Sequence, residues 1–356
     1  MADVLFFVNG LGLGNSTRCD AVIRALHARD ISVAVGTSGN GLWYFKNVPH
    51  VARVEPLKEL EYGAKSGALS IRETLADTGK LLETTRENAR RVNSLLDDVQ
   101  PKCVVTDSFY AVRPIRRRGI PLIALNNSDV VVESYLNRFD PPASVRAQFW
   151  VVEFGDYMFH RIMANAVISP NLDPALPVRH AKFHRVAPIV RDGFKENRSE
   201  GPVRHVVIML SGSVFSSSFK LTRPGYDFRV SVVGRPHDGQ SPIPDGVTYH
   251  GRVRDVRSIV EDADLMVING GFSAVSEAYC LRKPTVVIPV PNHAEQWVNA
   301  ATIRHLGVGE IGSEETLEQD MLNAVGQIGR YRTAYFDNPP KTGGAEMAAD
   351  LITKYL

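Results

Sequence analysis

The strongest constraint on the fold is the alternation of short β-branched runs with longer segments that have the apolar period of a helix. Such alternation is typical of α/β architecture, because neighbouring parallel strands must be joined by crossover helices. The predicted strands of the first half are Val4–Asn9, Ser32–Gly36, Ala52–Val54, Cys103–Thr106, Leu122–Asn126 and Ala166–Ser169, and its predicted helices are Ser16–Ala28, Ile71–Val99 and Val112–Arg118. The pattern predicts one doubly wound domain.

The same pattern begins again at Val203. The predicted strands of the second half are Val203–Leu210, Arg229–Val233, Val247–Tyr249, Leu265–Ile268 and Thr285–Pro289, with helices after Arg254, Phe272 and Ala294. A chain of 356 residues, 44% of them hydrophobic, is long enough to bury two cores. The sequence therefore predicts an α/β fold of two Rossmann-like doubly wound domains that face each other across a cleft.

Proline, glycine and charged residues concentrate in "RVAPIVRDGFKENRSEGPVRH", between the two patterned halves. This composition is typical of a linker. We place the boundary near Arg191, which gives an N-terminal domain over 1–190 and a C-terminal domain over 191–343. A last helix within 344–356 is expected to pack back on the N-terminal domain.

The stretch "FDPPASVRAQFWVVEFGDYMF" interrupts the first half and is interpreted as an irregular aromatic insertion. It either lines a cleft or packs on the surface. If it lines the cleft, Trp150 and its aromatic neighbours Phe149 and Phe154 could stack on a sugar, a lipid or a nucleobase. Trp150 is therefore a candidate acceptor-binding residue.

Charge and cysteine content exclude little. Forty-one basic residues stand against 39 acidic ones, so no overall field favours a nucleic-acid partner. Cys19, Cys103 and Cys280 are widely spaced and lie in apolar segments, which indicates reduced thiols and a cytoplasmic location. No run approaches the ~20 apolar residues of a membrane span. Oligomeric state is left open.

The first predicted strand leads into the glycine-rich loop of "VLFFVNGLGLGNSTRCDAVIRAL". Glycines at 10, 12 and 14 let the backbone approach a ligand closely, and the following helix begins with free N–H groups. A plain tight turn is the alternative. The second strand ends in "SVAVGTSGNG" without the acidic residue that a dinucleotide site needs. Gly12, Gly14 and Asn15 are therefore candidate acceptor-binding residues.

Two further places follow predicted strands, where doubly wound domains bind ligands. Asp107, in "CVVTDSFYAV", either caps a helix or acts as a general base. In "LMVINGGFSAVSEAYCLRKPTVVIPVPNHAEQWVNAATIRHLGVG", Glu277 lies within one predicted helix, and Glu295 and Gln296 begin the next. Polar groups from these adjacent loops should converge on one cleft.

This last segment resembles the nucleotide-sugar signature of GT-B glycosyltransferases. The similarity is to the branch that includes the peptidoglycan N-acetylglucosaminyltransferase and the UDP-glycosyltransferases. It implies an acceptor-binding N-terminal domain and a donor-binding C-terminal domain. By this resemblance Gly270, Gly271 and Ser273 meet the pyrophosphate, Glu277 binds the ribose, and Glu295 and Gln296 hold the donor sugar. Asn269 and Phe272 belong to the same donor loop.

Three other stretches resemble elements of the same family. "APIVR" implies that Arg191 lies near the donor diphosphate, for which a guanidinium is suited. "IMLSGSVFSSS" implies phosphate contacts from Ser211, Gly212 and Ser213, although such a turn is also common on surfaces. "YHGRVRDVRSIVEDADLMVI" implies that the backbone around Val253 reads the nucleobase. The implied co-substrate is a UDP-sugar, with no separate cofactor.

No metal site is predicted. Asp262 and Asp264 form a DxD pair, but they precede a strand instead of following one. His180 and His184 have helical spacing without a carboxylate partner, so we assign them structural or surface roles. Helix N-termini and Arg191 can neutralise the leaving diphosphate without a metal ion.

Related enzymes carry histidine as the acceptor-activating base where this chain has Asn15. An amide cannot take a proton at neutral pH, so the base must be Asp107 or a residue of another loop such as His293. The sequence favours a metal-independent, inverting glycosyltransferase. The alternatives are a nucleotide-sugar hydrolase or epimerase, or a non-catalytic nucleotide-sugar-binding subunit. The acceptor hydroxyl could belong to a small molecule, a lipid-linked molecule or a nucleic acid.

Overall fold

The computed structural model describes residues 2–59, 64–65, 68–69, 78–191, 193, 200–210, 219–237, 239, 241–251, 253 and 255–356. Most strands are parallel and fall into two sheets, one in each half of the chain. Both sheets lie where the alternating sequence pattern predicts them. The predicted helix Ile71–Val99 is observed from Thr78, and 71–77 lie outside the described residues.

The first sheet has seven strands in the order β3-β2-β1-β6-β7-β8-β9. Its strands are β1 Val4–Val8, β2 Val33–Thr37, β3 Arg53–Pro56, β6 Cys103–Asp107, β7 Leu122–Leu125, β8 Ala166–Pro170 and β9 Phe183–Val186, while β4 Ala64–Lys65 and β5 Ala68–Leu69 form a separate hairpin. The helices are α1 Leu13–His27, α2 Gly39–Phe45, α3 Thr78–Val99, α4 Arg113–Arg117, α5 Ser128–Asn137, α6 Arg146–Gln148 and α7 Phe154–Met163.

The second sheet has six strands in the order β12-β11-β10-β13-β14-β15. Its strands are β10 His205–Met209, β11 Gly225–Val233, β12 Asp245–Gly251, β13 Leu265–Asn269, β14 Thr285–Ile288 and β15 Gly309–Ile311. The helices are α8 Arg257–Glu261, α9 Phe272–Cys280, α10 Ala294–His305, α11 Leu317–Gly326, α12 Ile328–Asp337 and α13 Gly344–Thr353. The central strands β10, β13 and β14 are almost wholly buried, as is typical of a sheet with helices on both faces.

The last helix, α13, packs on the first sheet and not on the second. Ala345, Ala348, Ala349 and Ile352 are buried in the same core cluster as residues of β1 and α1. Arg29, which follows α1, also pairs with Asp350 at 2.6 Å. The C-terminal helix of the chain therefore packs against the domain that contains its N-terminus. The domain limits 1–190, 191–343 and 344–356 stay a prediction.

The aromatic insertion is helical, so its interpretation as irregular is wrong. A 3₁₀ turn Ala143–Val145, α6, a π-helical turn Phe149–Glu153 and α7 follow one another without a break. Aromatic packing explains the helix, because Phe149 is fully buried and stacks on Tyr135 of α5 with ring centroids 3.5 Å apart. The sequence pattern also does not predict the short edge strand β15.

Two smaller expectations concern cysteines and membranes. Cys19, Cys103 and Cys280 are free thiols. Among the described residues, no helix combines the length and the apolar character needed to cross a bilayer. A cytoplasmic location stays a prediction.

Candidate active site between the two sheets

Each sheet has a topological switch point, where strand order reverses and a crevice opens beyond the carboxyl ends of the strands. In the first sheet it lies between β1 and β6, and in the second between β10 and β13. Asn9 and Asp107 lie at the first crevice, and Asn269 and Gly270 lie at the second. The loop after β10, with the predicted phosphate contacts Ser211, Gly212 and Ser213, lies outside the described residues.

The Gly-Gly turn after β13 is packed too tightly for any other residue at its first position. A Cβ on Gly270 would lie 2.5 Å from the carbonyl oxygen of Gln296. The Asn299 side chain donates to the carbonyl oxygen of Gly270 at 2.9 Å, and that of Asn269 donates to Ile288 at 3.2 Å. Gly271 is then the N-cap of α9 and offers no capping side chain. The start of α9 is therefore fixed in place, with its N-terminal dipole at the crevice.

Two predicted donor-binding residues pair with each other. Arg191 donates from Nε and Nη2 to the two carboxylate oxygens of Glu277, at 2.6 and 2.8 Å. Burial acts to lower the pKa of Arg191, but the Glu277 carboxylate outweighs burial and raises it. The linker and α9 are thus joined by a bidentate ion pair at the expected donor site.

The opening loop of the first half contacts α9 of the second half. Ser273 Oγ donates to the carbonyl oxygen of Gly14 at 3.2 Å. A Cβ on Gly14 would lie 2.9 Å from Ser273 Oγ, whereas one on Gly12 would meet nothing within 4 Å. The absence of a side chain at Gly14 therefore permits this contact, and the structure brings candidate acceptor and donor residues together.

Sequence reasoning missed the partner of Asp107. Asp107 is completely buried, and Arg18 of α1 contacts both of its carboxylate oxygens, at 2.7 and 2.8 Å from Nη2 and 3.0 Å from Nε. Arg18 also reaches Asn15 Oδ1 at 3.5 Å, and Cys19 Sγ donates to Asp107 at 3.4 Å. Burial opposes the charge on Arg18, but Asp107 raises its pKa. This geometry favours an ion-pair role for Asp107 over proton abstraction.

A second missed residue, Glu153, lies beside His293 and Glu295. One oxygen or nitrogen atom from each of these three side chains lies within 4.8 Å of the other two. Gln148 joins them, because it donates to Glu153 at 2.6 Å and accepts from the Ala294 backbone N–H at 2.9 Å. Glu153 is on the π-helical turn that the sequence pattern does not reveal, so only the fold brings it here.

Burial sets the protonation of this cluster. It raises the pKa of Glu153 to about 8, with further contributions from the charges of Glu295 and Asp156. It lowers the pKa of His293, against the opposing effect of Glu295. Near neutral pH the Glu153 carboxyl therefore holds a proton, and the His293 imidazole is neutral.

The remaining candidate residues have ordinary contacts. Gln296 Oε1 accepts from the Val290 backbone N–H at 3.0 Å, which fixes the loop before α10. Phe272 is buried and Val253 is half-buried against the same core cluster. Trp150 is 49% exposed, and its ring lies 5.1 Å from the rings of Phe149 and Phe154. None of these contacts involves a group that could exchange a proton with a substrate.

Both carboxylates of the DxD pair have protein contacts near the start of β10. Asp264 accepts the backbone N–H groups of Arg204 and His205, at 2.8 and 3.0 Å. Asp262 pairs with Arg229 at 2.6 Å. Both carboxylates thus contact the region where β10 begins, since Arg229 of β11 lies opposite His205, and this is the end of β10 away from the crevice.

Comparison with solved structures identifies the class of protein that this fold defines. A structure named LpCGTa in complex with UDP superposes with a TM-score of 0.69 at 13% sequence identity, covering 100% of this chain and 99% of that one. MurG of Acinetobacter baumannii gives a TM-score of 0.63 at 15% identity, with 99% of each chain covered. The fold is the GT-B glycosyltransferase fold of two Rossmann-like domains, which confirms the sequence prediction.

Sequence comparison gives the family. An uncharacterised glycosyltransferase of Methanosarcina acetivorans is 24% identical over 351 residues, which cover 91% of this chain and 89% of that relative. Residues 2–326 match the family described as glycosyl transferase family 1. The chain belongs to this family and is a glycosyltransferase.

Proposed function

We propose that the enzyme transfers a sugar from a nucleoside-diphosphate sugar to an acceptor hydroxyl, and that the donor is a UDP-sugar. The observation that carries this proposal is the donor crevice, where Arg191, Glu277 and the fixed start of α9 meet beyond β13. A guanidinium and a helix N-terminus suit a diphosphate, and a carboxylate suits ribose hydroxyls. The choice of uridine is supported by the UDP named with LpCGTa.

In the proposed reaction the acceptor oxygen attacks the anomeric carbon in line with the departing diphosphate, which inverts that carbon. The new carbon–oxygen bond forms as the bond to the diphosphate breaks, and the diphosphate keeps the electron pair. Arg191 and the α9 dipole stabilise the charge that develops on it. Glu295 and Gln296 would hold the donor sugar, and Gly12, Gly14 and Asn15 would face the acceptor.

The direct test is to incubate the purified protein with a panel of nucleotide sugars, with and without candidate hydroxyl acceptors, and to follow nucleotide release and product mass. A transferase forms glycosylated product and releases UDP faster when the acceptor is present. Equal release without acceptor indicates a hydrolase, which would contradict the proposal.

The Glu277→Ala variant should weaken UDP binding by about 1–3 kcal/mol, because the ribose hydroxyls lose a charged hydrogen-bond partner. The same change removes the carboxylate that neutralises Arg191, which should strengthen the attraction of Arg191 to the diphosphate, so uridine should lose more affinity than UDP. Titration calorimetry with both ligands measures the difference. Glu315→Ala, an exposed glutamate of the same half, is the matched control. Unchanged uridine and UDP affinities for Glu277→Ala would remove Glu277 from the site.

Turnover should persist in EDTA, because Arg191 and the α9 N-terminus are proposed to neutralise the diphosphate. The measurement is initial rate before and after chelation, followed by addition of Mg²⁺ or Mn²⁺. A loss that either ion restores would show that a cation takes part in the reaction.

A further inference from the structure

The opening loop supplies no free base for the acceptor. Asn15 carries an amide, which cannot take a proton near neutral pH. Asp107, the other candidate of this crevice, is fully buried, and Arg18 bonds to both of its carboxylate oxygens. An acceptor hydroxyl would have to displace a buried guanidinium to reach it. The proton must therefore leave through another element of the cleft.

The loop before α10 offers a suitable group. His293 is the N-cap residue of α10, and its side chain is only partly buried. Among the described residues, its Nδ1 is buried and has no hydrogen-bond partner, so the other ring nitrogen, Nε2, is the one that could meet an acceptor. Its ring approaches the carboxyl groups of Glu153 and Glu295, with one atom of each group within 4.8 Å of the others. A ring nitrogen here is close to two carboxyl groups without being committed to an ion pair.

Contacts between the two halves of the chain build this arrangement. Gln148 and Glu153 come from the helical insertion of the first half, and the Ala294 N–H that Gln148 accepts comes from the second. Asn127, which follows β7, donates to Glu295 Oε1 at 3.3 Å. The cluster is therefore complete only when both halves are together, and Asn127 places it at the carboxyl edge of the first sheet.

We propose that His293 is the general base that receives the acceptor's proton, and that Glu153 is a residue that positions it. The inference rests on the proposed transferase function. The proton passes from the acceptor O–H to a ring nitrogen of His293 as the acceptor oxygen bonds to the anomeric carbon. The bond from that carbon to the diphosphate breaks, and its electron pair leaves with the diphosphate. No other co-reactant is required.

The charges around His293 suit this role. Two carboxyl groups lie beside His293: Glu295 from α10 and Glu153 from the π-helical turn. Asp156 of α7 acts on Glu153, and the charge of Arg18 of α1 acts on Glu295. Burial keeps the imidazole neutral and able to accept a proton. The Glu295 charge then stabilises the imidazolium that forms, as a carboxylate does beside a catalytic histidine.

The test compares His293→Gln with His305→Gln, a histidine at the far end of the same helix. We expect His293→Gln to lower kcat by roughly 10²–10⁴, the range for loss of a general base, with unchanged affinity for UDP and for the UDP-sugar. His305→Gln should keep the parent rate. For Glu153→Gln we expect turnover to survive, while the pH profile of kcat/KM loses an inflection near the Glu153 pKa of about 8.

Each contrary outcome has a distinct meaning. Near-parental kcat in His293→Gln would overturn the inference and leave the transferase function standing. A loss of UDP-sugar affinity at unchanged kcat would make His293 a donor-binding residue and also overturn it. EDTA inactivation of the parent that Mn²⁺ reverses, with that response lost in both His293→Gln and Glu153→Gln, would mean that the cluster holds a cation and would overturn the inference. A parent protein that neither binds nor turns over any nucleotide sugar would contradict the proposed function itself.

Discussion

Replacing Asp107 by Asn should lower the free energy of unfolding by about 3–5 kcal/mol, the usual cost of breaking a buried ion pair from one side. Asp107 is completely buried, and its partner Arg18 is 7% exposed, so water cannot take over the lost charge interaction. Asn at this position leaves the guanidinium buried without its counter-charge. The effect is expected on stability whether or not Asp107 takes part in catalysis.

Urea denaturation of parent and variant at the same pH measures this effect. The matched control is Asp97→Asn, which breaks the surface pair with Arg118 at 2.6 Å and should cost less than about 1 kcal/mol. The double variant Arg18→Met, Asp107→Leu should recover much of the loss, since an apolar pair of similar volume leaves no buried charge. Equal losses for Asp107→Asn and Asp97→Asn would show that the buried pair has no special role in stability.

The same variant separates two accounts of the missing histidine. If Asp107 is the base, Asp107→Asn should lose roughly 10²–10⁴ in turnover per folded molecule while UDP affinity stays nearly constant. If Asp107 instead holds Arg18 and the start of α1 in place, the turnover of Asp107→Asn should fall only as far as the folded fraction falls or the opening loop is displaced. Asn15→Ala should be milder under either account, because its amide can neither accept a proton nor balance the charge of Arg18.

Most of the architecture, and the grouping of the candidate donor-binding residues on one segment, could be predicted from the sequence, for a physical reason. Strands buried on both faces read as apolar runs, and in a doubly wound domain the ligand groups directly follow them along the chain. Asn269, Gly270 and Glu277 thus stand within one short segment. These residues could therefore be assigned to one site without knowledge of contacts between distant parts of the sequence.

The acceptor-side chemistry could not be predicted in this way, because its partners are distant in sequence. Arg18 and Asp107 are separated by 89 residues, and Glu153 comes from a different half of the chain than His293. A helix is also hard to predict where apolar residues do not recur with the 3.6-residue period. The π-helical turn at Phe149–Glu153 breaks that period. It is this turn that carries Glu153 to the cleft.

Glu153→Gln should stabilise the protein increasingly as the pH rises. The folded-state pKa of Glu153 is raised from 4.5 to about 8 by burial and by the charges of Glu295 and Asp156. Below pH 4.5 the Glu153 carboxyl is protonated in both the folded and the unfolded state, so its ionisation does not reduce the free energy of unfolding. Between 4.5 and 8 the unfolded chain releases the proton and the folded one does not, which costs up to about 1.4 kcal/mol per pH unit.

Glutamine does not titrate, and its amide oxygen can still accept the Gln148 hydrogen bond. The stability difference between Glu153→Gln and the parent should therefore grow by about 2–3 kcal/mol from pH 5.5 to 7.5 and level off above pH 8. Urea denaturation across that range measures it, with the exposed Glu315→Gln as a control that should show no such slope. A difference independent of pH would mean that Glu153 is already ionised near neutral pH. In that case the cluster would hold an additional negative charge beside His293, which would raise the pKa of the imidazole.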